Sequence, residues 1–196
     1  MKIKEQQDPQ KTPAKESVQI DVKRRECTLS EQMQKLMLRQ MQHELYNHNV
    51  YLTFANYFGI RGLSLLEEYY KLRAHEEYIH FQWVMNWMNQ NDAEFICPAV
   101  EQYSDKISDY YTPFNVTVDL EIQTSALIDE MIDLAFDEGD YATYNWLFGH
   151  DPEKGRLREE QVEEEATSRT VRDIANTEGS WLRKEKSILD FYKKNA

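Results

Sequence analysis

Cysteine is scarce in this 196-residue chain, and its two copies, Cys27 and Cys97, lie far apart and in no C-x-x-C arrangement. That excludes a zinc ribbon or rubredoxin-like iron centre and argues against a disulfide framework, so any metal must be held by oxygen and nitrogen. Basic residues are also in deficit, with 23 Lys and Arg against 35 Asp and Glu and a formal net charge of −12. Affinity for nucleic acid rests on clustered cations that displace counterions from phosphates, so neither DNA nor RNA is an expected partner and cations are. No apolar run reaches the length of about 18 residues that would span a bilayer, and the start MKIKEQQDPQKTPAKESVQ lacks the apolar stretch of a signal peptide. No membrane association is expected, and the cytoplasm is the expected compartment.

With only 6 Gly and 5 Pro to interrupt it, the chain reads as one all-α domain behind a polar tail. Residues 1–27 are charged, contain Pro9 and Pro13 and show no apolar period, which makes them an extension outside a domain covering 28–196. Thr28-Leu-Ser-Glu31 offers a capping box for a first helix, along which Met33, Leu36, Met37, Met41, Leu45, Leu52 and Ala55 recur at helical intervals to about Phe58. After Gly59 and Gly62, Ser64-Leu-Leu-Glu67 offers a second box for an antiparallel helix running to about Asn91. Residues 92–113, with Pro98 and Pro113, suit a long crossover, which would set a third helix (about 114–138, with Ile122, Leu127, Ile128, Met131, Ile132 and Ala135) parallel to the second. Gly139 should end that helix and Asp140 should cap a fourth from Tyr141. Pro152 predicts a break over 149–156, after which helix resumes to about Asn176. Ser180 can cap a short fifth helix carrying Trp181, Leu182, Ile188, Leu189 and Phe191.

Carboxylates occupy the stripes that should face the core, where an unpaired charge costs about several kcal/mol. Glu44 is in register with Met37, Met41, Tyr51 and Ala55, and Glu121 with Ile128, Ile132 and Ala135. The second helix contributes the i, i+3 pair Glu77 and His80, and the fourth contributes Gln161 and Glu164 in register with Leu157, Val171 and Ala175. Taken singly, each has a plainer reading: an inward glutamate snorkels or pairs locally, a core histidine is hydrogen-bonded, a tyrosine packs, and a Glu run is a solvated helix face. His43, His48, His75 and His150 read as surface or packing residues, and the Met and aromatic stripes as core.

One glutamate from each of two helices plus Glu-x-x-His-like pairs from the other two is the known ligand pattern of di-metal carboxylate bundles. Here HELYNHNVYL, LRAHEEYIHFQWV, Glu121 and EEQVEEE together resemble the bacterial non-haem ferritin family over about residues 29–192. The resemblance implies a ferritin-like four-helix bundle with a long crossover and a short C-terminal helix. It implies one iron held by Glu44, Glu77 and His80, and a second by Glu77, Glu121 and Glu164 with Gln161 nearby, Glu77 bridging. Tyr51 matches a tyrosine beside that site, and Glu76, Glu160 and Glu163 with Glu164 match a third iron site of some members. The activity implied is ferroxidase, the oxidation of Fe(II) by dioxygen or hydrogen peroxide, with Fe(III) stored as a mineral in a homo-oligomeric cage of twenty-four copies. Haem is not expected, because Tyr78 follows Glu77 where a haem-binding member has Met. In the family the stretch near 149–156 lines the threefold pores, so the insertion there would alter iron entry, with Asp151 and Glu153 as candidate lining residues.

Two rival readings use the same residues. A di-iron oxidase acting on an organic substrate would share the bundle, although the short chain and the carboxylate surplus near Glu160 disfavour it. A non-catalytic helical interaction protein would instead neutralise its inward carboxylates through Arg73 or Arg158.

Overall fold

The structure, a computed structural model, describes residues 26–148 and 157–195. They form six helices and, among the described residues, no strand: α1 (Glu31–Gly59), α2 (Ser64–Gln90), α3 (Thr112–Glu138), α4 (Tyr141–Phe148), α5 (Leu157–Ala175) and α6 (Trp181–Asn195). The predicted break over 149–156, with His150, Asp151 and Glu153, and the extension before residue 26 lie outside the described residues. No helix among the described residues is long and apolar enough to cross a membrane.

Side-chain pairings fix the directions of the bundle helices. From Phe58 with Phe114, through Tyr51 with Glu121 and His43 with Thr124, to Arg39 with Glu130, α1 numbers fall as α3 numbers rise. Arg158 with Asp129 and Gln161 with Glu121 order α5 against α3 in the same antiparallel way. Tyr70 with Phe114 and Arg73 with Glu121 make α2 and α3 parallel, as a crossover over residues 92–111 requires.

The helix ends follow local sequence signals at some junctions and distant partners at others. Gly139 ends α3 at φ 70°, and Asp140 accepts from the Thr143 amide at 3.0 Å, both as expected. The N-cap of α1 is Ser30, whose Oγ accepts from the Met33 amide at 3.0 Å. Thr28 is instead committed to Asn91 at the far end of α2, through its hydroxyl at 2.6 Å and its amide at 3.2 Å. Ser64 is the first residue of α2 rather than its cap, and α2 has no cap from its own sequence neighbours. Buried Glu185 of α6 supplies one, accepting from the Leu65 amide at 3.0 Å. Leu52, Ile122 and Leu182, expected on apolar stripes, are exposed, whereas Lys184 is buried and donates to the Ala175 carbonyl at the end of α5 at 2.8 Å.

The core is two apolar clusters with a polar layer between them. One is aromatic, with Tyr51, Phe54, Phe58, Tyr69, Tyr70, Phe114 and Tyr192. The other is aliphatic and sulfur-rich, with Met33, Met37, Met41, Met88, Ile128 and Met131, closed by Trp87 stacked on Trp146. Between them every bundle helix contributes buried polar side chains: Glu44 and Asn47 on α1, Arg73, Glu77 and His80 on α2, Glu121 and Thr124 on α3, and Gln161, Glu164 and Ser168 on α5.

A candidate metal centre in the polar layer

The helical register carries Glu44, Glu77 and His80 to one point, where one donor atom from each lies within 4.8 Å of the others, all three residues buried. Gln40, one turn before Glu44 on α1, donates its Nε2 to Glu44 Oε1 at 2.5 Å. Glu44 Oε2, both carboxylate oxygens of Glu77 and His80 Nδ1 are buried without a hydrogen-bond partner, as is Glu164 Oε2 nearby. Orphaned buried polar groups of this kind are rare because each forfeits its hydration, and several converging acceptors match a cation better than any core function. The donor set, two carboxylates and an imidazole, suits divalent iron.

A second group, Glu77, Glu121 and Glu164, also brings one oxygen from each within 4.8 Å. Its surroundings differ. Tyr51 donates its hydroxyl to Glu121 Oε1 at 2.5 Å, and Gln161 Nε2 donates to Glu121 Oε2 at 2.9 Å. The guanidinium of Arg73, buried to 1% exposure, donates from Nη2 to Glu121 Oε1 at 2.5 Å and from Nη1 to Glu164 Oε1 at 3.0 Å. The same Nη2 stands 3.6 Å from Glu77 Oε1, and Nη1 also donates to Glu76 Oε2 at 2.9 Å.

These fields split the carboxylates. Burial, reinforced by the neighbouring Glu77 charge, holds the Glu44 carboxyl well above its usual range. Burial also raises Glu164, to about 8, with Glu121 and Glu77 adding to the shift and His80 and Arg73 opposing it. Glu121 is raised by burial despite Arg73. Burial would raise Glu77 as well, but the nearby imidazole of His80, 3.9 Å away, and the Arg73 charge bring it down to about 2. His80 is raised because Glu164 and Glu77 outweigh the burial that would lower it.

Glu76, Glu160, Glu163 and Glu164 line one small cavity of about 80 Å³ together with Arg73 and Tyr192. Glu163 is exposed and Glu76 and Glu160 half-buried, and among the described residues only the two inner triads bring three such donors within 4.8 Å. His43 and His48 pack, contacting Thr124 Oγ1 at 2.9 Å and the Ala74 carbonyl at 2.6 Å, and His75 is exposed. Cys27 and Cys97 are free and exposed. Two site residues were not singled out as such from the sequence. Arg73 and Gln40 carry no ligand motif of their own, yet both sit one turn before a candidate ligand on the same helix face, at Glu77 and Glu44 respectively.

Comparison with known proteins agrees with this architecture. The ferritin-like domain profile matches residues 34–175. A probable bacterial non-haem ferritin-like protein of Haemophilus influenzae is 26% identical over 148 residues, covering 76% of this chain and 86% of that protein. A bacterial non-haem ferritin of Bacteroides fragilis is 28% identical over 148 residues, covering 74% and 87%. Among solved structures, an open pore ferritin from the hyperthermophilic archaeon Archaeoglobus fulgidus superposes with a TM-score of 0.75 at 25% identity, over 83% of this chain and 98% of that one. Fold, polar layer and sequence similarity converge on one assignment: the chain belongs to the ferritin-like domain family.

Proposed function

We propose that this protein is an iron-storage ferritin subunit with an internal ferroxidase site. Glu44, Glu77 and His80 take one Fe(II), and Glu77, Glu121 and Glu164, with Gln161 alongside, take the second, so that Glu77 is shared. The observation that carries this reading is the set of unpartnered buried acceptors on Glu44, Glu77 and His80. A purely structural ion-pair layer accounts for the Arg73 contacts to Glu121, Glu164 and, more distantly, Glu77, but leaves Glu44 Oε2 and His80 Nδ1 without a purpose.

The substrate reaction balances as two Fe(II) giving two electrons to dioxygen, which leaves as hydrogen peroxide after taking two protons. Hydrolysis of each Fe(III) to an oxyhydroxide then releases protons, and the product accumulates within a homo-oligomeric cage, for which the ferritin relatives and the C-terminal helix α6 are the support. The chain's own residues prepare the site. Tyr51 and Gln161 hold Glu121 from two sides, and Gln40 holds Glu44, fixing carboxylates that would otherwise rotate. Glu76, Glu160 and Glu163 with Glu164 supply an acidic route or third cation position on the α5 side.

Glu77→Ala and His80→Ala should each slow the initial rate of Fe(II) oxidation at least about tenfold, while leaving the sedimentation of the assembly unchanged. Native initial rates in both variants would overturn the site assignment.

A further inference from the structure

The two triads differ in one respect that the two-iron reading does not by itself anticipate: the second already contains a cation. Arg73 reaches all three of its carboxylates, with nitrogen-to-oxygen distances of 2.5 Å to Glu121, 3.0 Å to Glu164 and 3.6 Å to Glu77. Glu44 Oε2 and His80 Nδ1, which belong to the first triad alone, meet no such cation and have no hydrogen-bond partner, while in the second triad Glu164 Oε2 and the shared Glu77 oxygens are the atoms left without a hydrogen bond. We propose that Arg73 is a built-in competitor for the second cation position, so that the first triad fills before the second and the second fills only when the guanidinium withdraws. The proposal rests on the metal-site reading above and assigns a loading order within it.

Physical reasons favour a competitor that moves over one that stays. A guanidinium and a metal cation seek the same carboxylates, and with Nη2 on Glu121 Oε1 and Nη1 on Glu164 Oε1 only Glu164 Oε2 is left free on that pair, so a cation held there would stand against the positive charge of Arg73. An exit exists. Nη1 also donates to Glu76, whose side chain is 26% exposed, and Arg73 lines the cavity of about 80 Å³ that Glu160, Glu163 and Glu164 border. A guanidinium turned into that cavity keeps carboxylate partners, so withdrawal does not strand a buried charge. Moving it still breaks two buried, charge-assisted hydrogen bonds, enough to weaken the second binding step by at least about tenfold relative to the first. A withdrawn Arg73 would also occupy the place of a third cation, so filling the second position and filling the outer acidic cluster should oppose each other.

The test is anaerobic titration of the assembled, metal-free protein with Co(II), by calorimetry and by the d–d absorption of the bound ion. The native chain should take up one Co(II) per chain tightly and any second at least about tenfold more weakly. In Arg73→Gln the two steps should draw together to within about threefold. Two equal steps in the native protein, or an unchanged gap in Arg73→Gln, would overturn the competition while leaving the metal site standing. No tight binding in either protein would overturn the metal-site reading itself. Should Arg73→Gln fail to fold, crystals of the native protein at one and at several equivalents of Co(II) decide by anomalous scattering. The expected result is one peak at Glu44, Glu77 and His80 first, then a second peak accompanied by an Arg73 side chain turned toward Glu76. Both peaks at one equivalent, or a second peak with Arg73 unmoved, would contradict it.

Discussion

The two triads of the polar layer share Glu77 and lie between the same apolar clusters, yet one is finished and the other is not. Around Glu121 and Glu164 the chain has supplied Arg73, Tyr51 and Gln161, which engage both oxygens of Glu121 and Oε1 of Glu164, leaving only Glu164 Oε2 without a hydrogen bond. Around Glu44, Glu77 and His80 it has supplied one hydrogen-bond donor, Gln40, and a more distant charge, Arg73 at 3.6 Å from Glu77, and left four buried atoms without a hydrogen bond. A buried carboxylate is therefore not by itself a sign of a ligand site, because an internal cation can satisfy it. The sign is the carboxylate left unsatisfied where the surrounding sequence could have satisfied it.

Several substitutions separate these halves. The largest expected effect is on the finished side, where Arg73→Met leaves Glu121 and Glu164 facing each other without a counter-ion. It should destabilise the metal-free protein by about 3–5 kcal/mol, measured by urea unfolding in the presence of chelator. Glu44→Leu acts on the unfinished side, where it removes the orphaned Oε2 but also the partner of buried Gln40, so metal-free stability should change by no more than about 1 kcal/mol while tight cation binding is abolished. Destabilisation by both substitutions to the same extent would erase the distinction between the triads.

pH sharpens the comparison further. Glu164, raised to about 8 by burial, and Glu44, raised by burial and by Glu77, favour their neutral forms in the metal-free fold. His80, raised by Glu164 and Glu77 against the effect of burial, favours its charged form. Raised values of both kinds stabilise the fold at low pH and lose that contribution as pH climbs through the folded-state values. Glu77, held near 2, works the other way, and its contribution is lost only in acid, below its ordinary range. From pH about 6 to about 8, then, the melting temperature of the metal-free protein should fall while cation affinity rises, since binding must expel the protons of Glu164 and Glu44. Calorimetry in buffers of different ionisation enthalpy should register proton release on Co(II) binding at pH 7, and binding without proton release would contradict the electrostatic picture. The smallest effect concerns a remote cap. Glu185→Ala removes the acceptor for the Leu65 amide and should cost about 1 kcal/mol in thermal or urea unfolding, with cation binding unchanged.

The bundle was legible because its signals are local and repeated. The period of Met37, Met41, Glu44, Tyr51 and Ala55 sets one face of α1, and Gly139 followed by Asp140 marks a helix junction without reference to anything distant. The register that places Glu44 and Glu121 among apolar residues also brought them into one layer. What was misread depends on tertiary partners. Thr28 satisfies the capping-box spacing but is claimed by Asn91, 63 residues away, and Ser64 is followed by the right glutamate while the acceptor for α2 comes from Glu185. Leu52, Ile122 and Leu182 are apolar yet exposed, because a stripe's edges are set by where the neighbouring helix lies. Arg73 and Gln40 carry the same register signal as the glutamates beside them. A cation on an inward face reads as a partner for something unnamed until the carboxylates it meets are known.

The most direct test of the account follows the fate of iron. Fe(II) is added anaerobically to the purified protein, from two per chain, the number that one ion per triad would give, to far beyond it, then exposed to air while ultraviolet absorbance and particle size are recorded. Rapid oxidation is expected at every loading, with the iron retained in a large particle that does not disassemble. Oxidation that saturates near two irons per chain in a small particle, with the excess precipitating outside, would contradict it.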